Sequence, residues 1–163
     1  DPLTGINNRR HLFEIAEHEV EVAVRYEQPM AVMMYDIDHF KKVNDTFGHS
    51  VGDLILQRVT KIVRDELRSA DVIGRYGGEE FIVILPMTNT QQAFQLAERI
   101  RINVAKLHIE TTKGMAAVTL SIGIVELNNA TSAETVESIF RRADEAMYAA
   151  KQAGRNRTEI SVP

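Results

Sequence analysis

Two successive glycines, Gly77 and Gly78, constrain this chain more than any other feature of its sequence. They separate residues 71–76 from residues 81–85, and both of these runs are rich in strand-forming side chains. A short glycine-containing connection between two such runs predicts a tight β-hairpin. Because glycine has no Cβ, a ligand can approach the backbone of this hairpin closely.

Four carboxylates are expected where the hairpin meets a second strand. Residues 31–35 form a nearly continuous apolar run, typical of a central strand covered on both faces, and alternation places Asp36 and Asp38 beyond it on one face. Glu79 and Glu80 follow the glycines. Solvated strand ends explain any one of these acids, but two clusters beside adjacent strands favour a cation between them. Mg²⁺ prefers oxygen ligands and often uses few protein carboxylates, leaving positions for phosphates.

Composition narrows the class of protein. With 163 residues, of which 44% are hydrophobic, the chain is expected to form a single domain over residues 1–163, excised from a longer protein because it starts without methionine. Its net charge of −4 gives no reason to expect nucleic acid or a membrane surface as a partner. The absence of cysteine excludes disulfides and thiol chemistry and is compatible with a cytoplasmic location.

Periodicity predicts an α+β domain in which helices flank one central mixed sheet, because a hairpin interrupts the alternation of strands and helices. Asn7 or Asn8 is expected to cap the first helix, which runs toward Arg25, and Thr131 with Glu134 to form a capping box before the last. The other predicted elements are strand 31–35, helix or turn 40–47, loop 48–52, helix 53–67, the hairpin 71–85, helix 90–107, strand 117–126, a helix ending near Gly154 and an edge strand 157–162.

Residues between the two acidic clusters supply what a nucleotide needs. Backbone N–H groups at Phe40 and the charge of Lys41 suit phosphates. A carboxylate at Asp53 can accept from N1–H and the exocyclic amine of guanine, and the Asn44 amide can both donate and accept, so together they favour GTP over ATP. The structural alternative makes Asp53 a helix N-cap and Asn44 a turn residue.

Two basic residues, Lys151 and Arg155, flank the end of the last predicted helix. Their functional interpretation is phosphate binding. The structural alternative is compensation of the helix dipole, which favours cations at a helix C-terminus.

The ordered motifs of the chain resemble those of the GGDEF family of diguanylate cyclases over nearly its whole length. These motifs are DPLTGINNRR at residues 1–10, DIDHFKKVNDTFGHSVGD at 36–53, RYGGEEF at 75–81, SIGI at 121–124 and ADEAMYAAKQAGRN at 143–156. The resemblance implies a palm-like α+β fold of the ferredoxin-like kind, related to adenylyl cyclases. It also implies condensation of two GTP into cyclic di-GMP and two pyrophosphates, with two Mg²⁺ or Mn²⁺ ions in each active site.

The resemblance assigns a role to each matched position. Asp36, Glu79 and the carbonyl of Ile37 would bind metal, and Glu79, Glu80 and Lys41 would be catalytic. Two roles stay open for Glu80, orienting the attacking 3′-hydroxyl or deprotonating it, because metal activation of that hydroxyl could suffice. Asp38 is interpreted as a supporting carboxylate. The substrate-binding residues would be Phe40, Lys41, Asn44, His49, Asp53, Gly78, Lys151 and Arg155.

The family also implies a homodimer, because each domain binds one GTP and two domains must face each other to close the ring. Arg68 and Asp71 match the RxxD motif of an inhibitory product site, with Arg99 assisting from a neighbouring helix. Spacing alone supports this site weakly, since many helices end in arginine. The competing interpretations are a non-catalytic receptor that binds cyclic di-GMP through these residues, and a related cyclase with relaxed base choice.

Overall fold

The computed structural model describes residues 1–127 and 134–161. In that part of the chain, helices and strands follow in the order α1 (Arg9–Arg25), β1 (Met30–Ile37), α2 (Phe40–Phe47), α3 (His49–Glu66), β2 (Val72–Arg75), β3 (Glu80–Pro86), α4 (Thr90–Ala105), β4 (His108–Thr111), β5 (Gly114–Ala117), β6 (Leu120–Glu126), α5 (Val136–Gln152) and β7 (Arg157–Ile160). None of these helices is long and apolar enough to cross a membrane, as far as the described residues show.

Five strands form the central sheet in the order β2-β3-β1-β6-β7. The first four are antiparallel neighbours, whereas β6 and β7 run parallel. The sheet is therefore mixed, and the α+β prediction is confirmed. β4 and β5 form a separate antiparallel hairpin.

Alternation along β1 distributes the core over both faces of the sheet. Met33 and Tyr35 face a core shared with α2, α3 and α4, and Val32 and Met34 face a core shared with α1 and α5. All eight residues of β1 are buried, as the continuous apolar run predicted. Burying a side chain of this size contributes about 1.5–3 kcal/mol, so β1 is held firmly at the centre of the sheet.

The predicted loop over residues 48–52 is wrong, because α3 begins at His49 rather than at residue 53. Gly48 alone makes the turn from α2, with φ of 93°, and also serves as the N-cap of α3. Gly52 lies inside the helix, where a Cβ would overlap the side chain of Asn44. Glycine is therefore needed at this position for close packing. In the sequence alone, the same glycine indicated a loop.

The other boundaries differ less. Helix α4 ends at Ala105, and the predicted strand 117–126 consists of β6 alone, because residues 114–117 pair with β4 instead. Asn8 caps α1 by accepting from His11 N–H. The predicted capping box and edge strand extend beyond the described residues at Thr131 and Val162. Thr135 is the N-cap of α5.

Candidate active site

The hairpin that carries the two glycines has its tip one residue earlier in the chain than predicted. Strand β2 ends at Arg75 and β3 begins at Glu80, and the N–H groups of Tyr76 and Gly77 both donate to the Glu80 carbonyl, at 2.8 and 3.1 Å. The Arg75 guanidinium donates to the Gly78 carbonyl, at 2.6 Å from Nη2. Apart from its two neighbours in the chain, no atom of the described residues lies within 4 Å of the position that a Cβ on Gly78 would occupy. Hydrogen bonds thus hold the backbone of the tip in place, while the space beside the Gly78 Cα stays open.

Strand register brings the acidic residues together. Asp36 and Glu80 are direct partners in the antiparallel pairing of β1 and β3. The Ile37 N–H donates to the Glu79 carbonyl at 3.3 Å, which extends the pairing to the hairpin tip. Asp36 is only 6% exposed, although it is charged and lies at a strand end.

Burial and mutual repulsion perturb three carboxylates at this place. Desolvation is the largest cause that raises the pKa of Asp36, with a smaller contribution from Asp38. Desolvation followed by the charge of Asp36 raises the pKa of Glu79 and of Glu80. A cluster of carboxylates that disfavour one another's ionised form is a place where a cation binds with advantage.

The end of α5 supplies cations to this cluster. Lys151 Nζ lies 2.8 Å from Asp36 Oδ2, and the ammonium opposes the upward pKa shifts of Asp36, Glu79 and Glu80. Arg155 is exposed, follows the helix with φ of 64°, and also lowers the pKa of Asp36. Lys151 therefore contacts the acidic cluster and Arg155 is near enough to affect its charge, which dipole compensation alone does not require.

The donor set fits a sparse oxygen-ligand metal site. Asp36 and Glu79 offer carboxylate oxygens and the strand end offers the Ile37 carbonyl, all of them hard ligands. In residues 1–127 and 134–161, no three acidic or histidine side chains converge as a ready-made metal cage. Such a site suits Mg²⁺ or Mn²⁺ that takes its remaining ligands from water and substrate phosphates.

The residues predicted to contact guanine lie on α2 and α3. Gly52 allows the Asn44 side chain and the Phe40 ring to pack closely against α3, and Asp53 is the next residue, exposed on that helix. Asp53 lies within α3 and Asn44 within α2, so the structural alternatives of N-cap and turn residue are both wrong. His49 is exposed at the start of α3.

The start of α2 is suited to phosphate. His39 precedes it in the left-handed conformation, with φ of 58°, and makes no side-chain cap to the helix. Free N–H groups at a helix start attract anions. Lys41 is exposed in the first turn, and the Phe40 side chain is buried.

Asp38 has a structural role, because its buried carboxylate joins three segments of the chain. Its carboxylate accepts hydrogen bonds from the hydroxyls of Thr119 and Ser121, both at 2.6 Å, and from the Asn156 N–H at 3.1 Å. It thereby ties the end of β1 to the start of β6 and to the turn after α5. This arrangement agrees with the interpretation of Asp38 as a supporting carboxylate.

The residues of the predicted product site lie together in a second place. Arg68, Asp71 and Arg99 line a cavity of about 220 Å³. The Asp71 carboxylate accepts from the Arg68 N–H at 2.7 Å, which closes the turn between α3 and β2. Arg99 reaches the cavity from α4.

Several residues near the acidic cluster were missed by sequence reasoning. Arg9 lies over the Tyr76 ring, 4.6 Å from its centroid, and lowers the pKa of Glu80, whereas Asp144 raises it. Arg75 and Ser121 belong to recognised motifs, which was the available signal, but motif membership did not indicate the bonds that they make.

Comparison with known proteins identifies the family. Residues 1–157 match the family described as diguanylate cyclase, GGDEF domain. The chain is 42% identical over 161 residues to the diguanylate cyclase DgcP of Pseudomonas aeruginosa, which covers 99% of this chain and 24% of DgcP. It is also 42% identical over 161 residues to the diguanylate cyclase DosC of Escherichia coli, with coverages of 98% and 34%. The chain thus spans about a quarter to a third of the length of these relatives.

The fold gives the same answer. The GGDEF domain of DgcB from Caulobacter crescentus, solved in complex with c-di-GMP, superposes with a TM-score of 0.94 at 31% identity, covering 100% of this chain and 93% of that one. This likeness confirms the predicted palm-like α+β fold and the resemblance inferred from the motifs. The chain belongs to the GGDEF domain family of diguanylate cyclases.

Proposed function

We propose that this domain condenses two molecules of GTP into cyclic di-GMP, with two pyrophosphates as the other products. The observation that carries the proposal is the meeting of Asp36, Glu79 and Glu80 with Lys151 and Arg155 beneath an open hairpin tip. Acids that suit a metal and bases that suit phosphates converge at one place. Relatives named diguanylate cyclase support the same activity.

Asp36, Glu79 and the Ile37 carbonyl would hold Mg²⁺ or Mn²⁺, two ions in each site. When bound, these ions would neutralise the charge that develops on the phosphates and activate the attacking hydroxyl. Glu80 would orient that 3′-hydroxyl or accept its proton. Lys41 would place its charge beside the phosphates at the start of α2.

The substrate would lie between the hairpin and the helices α2 and α3. Asn44 and Asp53 would bind the guanine edge, and His49 would support that end of the site. Gly78 would let the nucleotide cross the hairpin, Phe40 would offer its backbone N–H, and Lys151 with Arg155 would hold the terminal phosphates. Two observations support this arrangement: α2 begins shortly after β1 ends, and Lys151 on α5 pairs with Asp36.

The reaction requires two domains. The 3′-oxygen of each GTP attacks the α-phosphorus of the other, a phosphodiester bond forms, and pyrophosphate leaves each nucleotide. One domain presents one set of these residues, so a homodimer with antiparallel substrates would complete the ring. Arg68, Asp71 and Arg99 would bind the product and provide feedback inhibition.

The test is to incubate the domain with GTP and Mg²⁺ and to separate the nucleotides by chromatography. We expect cyclic di-GMP from the wild type and at least about 100-fold less from Glu79→Gln, since metal ligation contributes several kcal/mol. Glu145→Gln, at an exposed ion pair on α5, is the control and should retain activity. If Glu79→Gln makes product at the wild-type rate, the assigned site is wrong. Cyclic di-GMP binding without any synthesis would favour the receptor interpretation.

A further inference from the structure

We propose that Glu66 is a positioning residue that holds Arg99 ready for the product, an inference that rests on the proposed product site. Glu66 is the last residue of α3, and its Oε2 accepts a hydrogen bond from Arg99 Nε. Its other oxygen, Oε1, accepts from Asn103 Nδ2 at 2.8 Å. Arg99 and Asn103 lie one turn apart on α4, so a single carboxylate fastens that turn to the end of α3.

The pattern of hydrogen bonds leaves the useful end of Arg99 available. Glu66 bonds to Nε alone, and in residues 1–127 and 134–161 the two Nη groups of Arg99 have no hydrogen-bond partner. A guanidinium that offers both Nη groups can donate to two acceptors at once, such as O6 and N7 of guanine or two phosphate oxygens. Glu66 therefore orients this group without occupying the donors that a ligand would use.

Positioning matters here because the Arg99 side chain is otherwise loosely held. Its side chain is 55% exposed, whereas that of Glu66 is 22% exposed. Ordering a long exposed side chain on ligand binding costs conformational entropy, and a prior bond to Glu66 removes part of that cost. Asp71, which also lines the cavity, is already held in place, because its carboxylate accepts a hydrogen bond from the Arg68 N–H.

Glu66 also lines the cavity, so its charge has to be weighed against its positioning effect. A free carboxylate would repel the phosphates of cyclic di-GMP. Both oxygens of Glu66 instead accept from donors on α4, and one of these donors is cationic. The negative charge of Glu66 is thus largely compensated. We therefore expect its positioning of Arg99 to outweigh its repulsion of the phosphates, so that Glu66 raises the affinity for cyclic di-GMP.

The experiment measures cyclic di-GMP binding by titration calorimetry. We expect Glu66→Ala to bind about tenfold more weakly than the wild type, and Glu66→Gln, which keeps an oxygen that can accept from Arg99 Nε, to restore most of the affinity. Asp65→Ala is the matched control, because it removes a carboxylate from the neighbouring residue, where it pairs with Lys61 on the exposed side of the helix. It should leave the affinity unchanged. Thermal unfolding verifies that each variant is folded.

A double-mutant cycle separates positioning from a general structural effect. Once Arg99→Ala is present, adding Glu66→Ala should cause no further loss of affinity. The inference is overturned if Glu66→Ala binds as tightly as the wild type or more tightly, or if the two losses add. Absence of binding by the wild type, or an unchanged affinity in Arg68→Ala, would overturn the product site itself. The proposed cyclase activity is tested independently, by measuring product formation from GTP, so these results would not decide it.

Discussion

Asp36 on β1 and Glu80 on β3 are direct antiparallel partners, so two carboxylates face each other across neighbouring strands at the mouth of the site. Like charges in this relation destabilise a sheet. Lys151 lies 2.8 Å from Asp36 and opposes the repulsion, yet the pKa values of both carboxyls remain raised. The fold therefore carries unfavourable electrostatics at the place where the proposed chemistry needs a cation.

The first prediction is that Glu80→Gln stabilises the domain near neutral pH while it lowers cyclase activity. Removing one of two facing like charges should raise the free energy of unfolding by a few tenths to about 1 kcal/mol. Chemical denaturation measured by circular dichroism would show this gain. Activity falls because Glu80 is assigned to the attacking hydroxyl.

The pH dependence of that gain has a definite sign. Because folding raises the pKa of Glu80, the folded state binds its proton more tightly than the unfolded state. The stability linked to this group is fully present below the ordinary glutamate pKa and is lost as the pH rises through the folded-state pKa. The advantage of Glu80→Gln should therefore grow with pH over that window. An equal gain at acid and neutral pH would contradict the explanation, and Glu110→Gln, exposed on β4, is the control.

The second prediction concerns two glycines with different surroundings. Gly78→Ala should fold normally, since a methyl group there meets open space, but should weaken GTP binding by about tenfold because it fills the space assigned to the nucleotide. Gly52→Ala should weaken GTP binding and also lower the melting temperature, since the methyl group collides with Asn44. Nucleotide titration combined with thermal unfolding separates these cases. A normal GTP affinity in Gly78→Ala would show that the nucleotide does not lie against the hairpin tip.

The third prediction is that Arg75 keeps the hairpin tip in place. Its guanidinium donates to the Gly78 carbonyl and lies 3.2 Å from Asp1 Oδ1, with 19% of the side chain exposed. Arg75→Met should destabilise the domain by about 1–2 kcal/mol and increase amide hydrogen exchange at the tip. Arg10→Met, at an exposed ion pair on α1, should do neither. Unchanged amide hydrogen exchange at residues 77–79 in Arg75→Met would show that Arg75 does not stabilise the tip.

The fourth prediction tests base selection. Asp53 is exposed on α3 next to the glycine against which Asn44 packs, and its carboxylate is assigned to the donors of guanine. Asp53→Ser should reduce the preference for GTP over ATP by roughly 10- to 100-fold, because adenine lacks that pair of donors. Competition of the two nucleotides for binding measures the ratio. If the ratio does not change, Asp53 does not select the base.

Much of this architecture could be predicted from the sequence. The apolar run of β1 predicted a strand buried on both faces, and the helical spacing of α1, α4 and α5 was recovered to within a few residues. The motifs predicted the family, and the hairpin that interrupts the alternation of strands and helices predicted the mixed sheet. These successes depend on local patterns, which alternation and periodicity reveal directly.

The remaining features depend on contacts between distant residues. Gly52 resembles a loop residue in the sequence because its reason, the approach of Asn44, comes from another helix. The pairing of Asp36 with Glu80 requires the strand register, and the bonds of Asp38 to Ser121 and Asn156 join residues more than eighty positions apart. Glu66 carries no motif signal at all, since its role arises only when α3 meets α4.

The most direct test of the central claim is a concentration series of the purified domain with GTP and Mg²⁺, in which cyclic di-GMP is quantified against protein concentration. Catalysis between two domains predicts that the rate of product formation rises more steeply than the protein concentration until the dimer is saturated. Absence of cyclic di-GMP, even when two copies are fused to a dimerising partner, would contradict the assignment of this domain as a diguanylate cyclase.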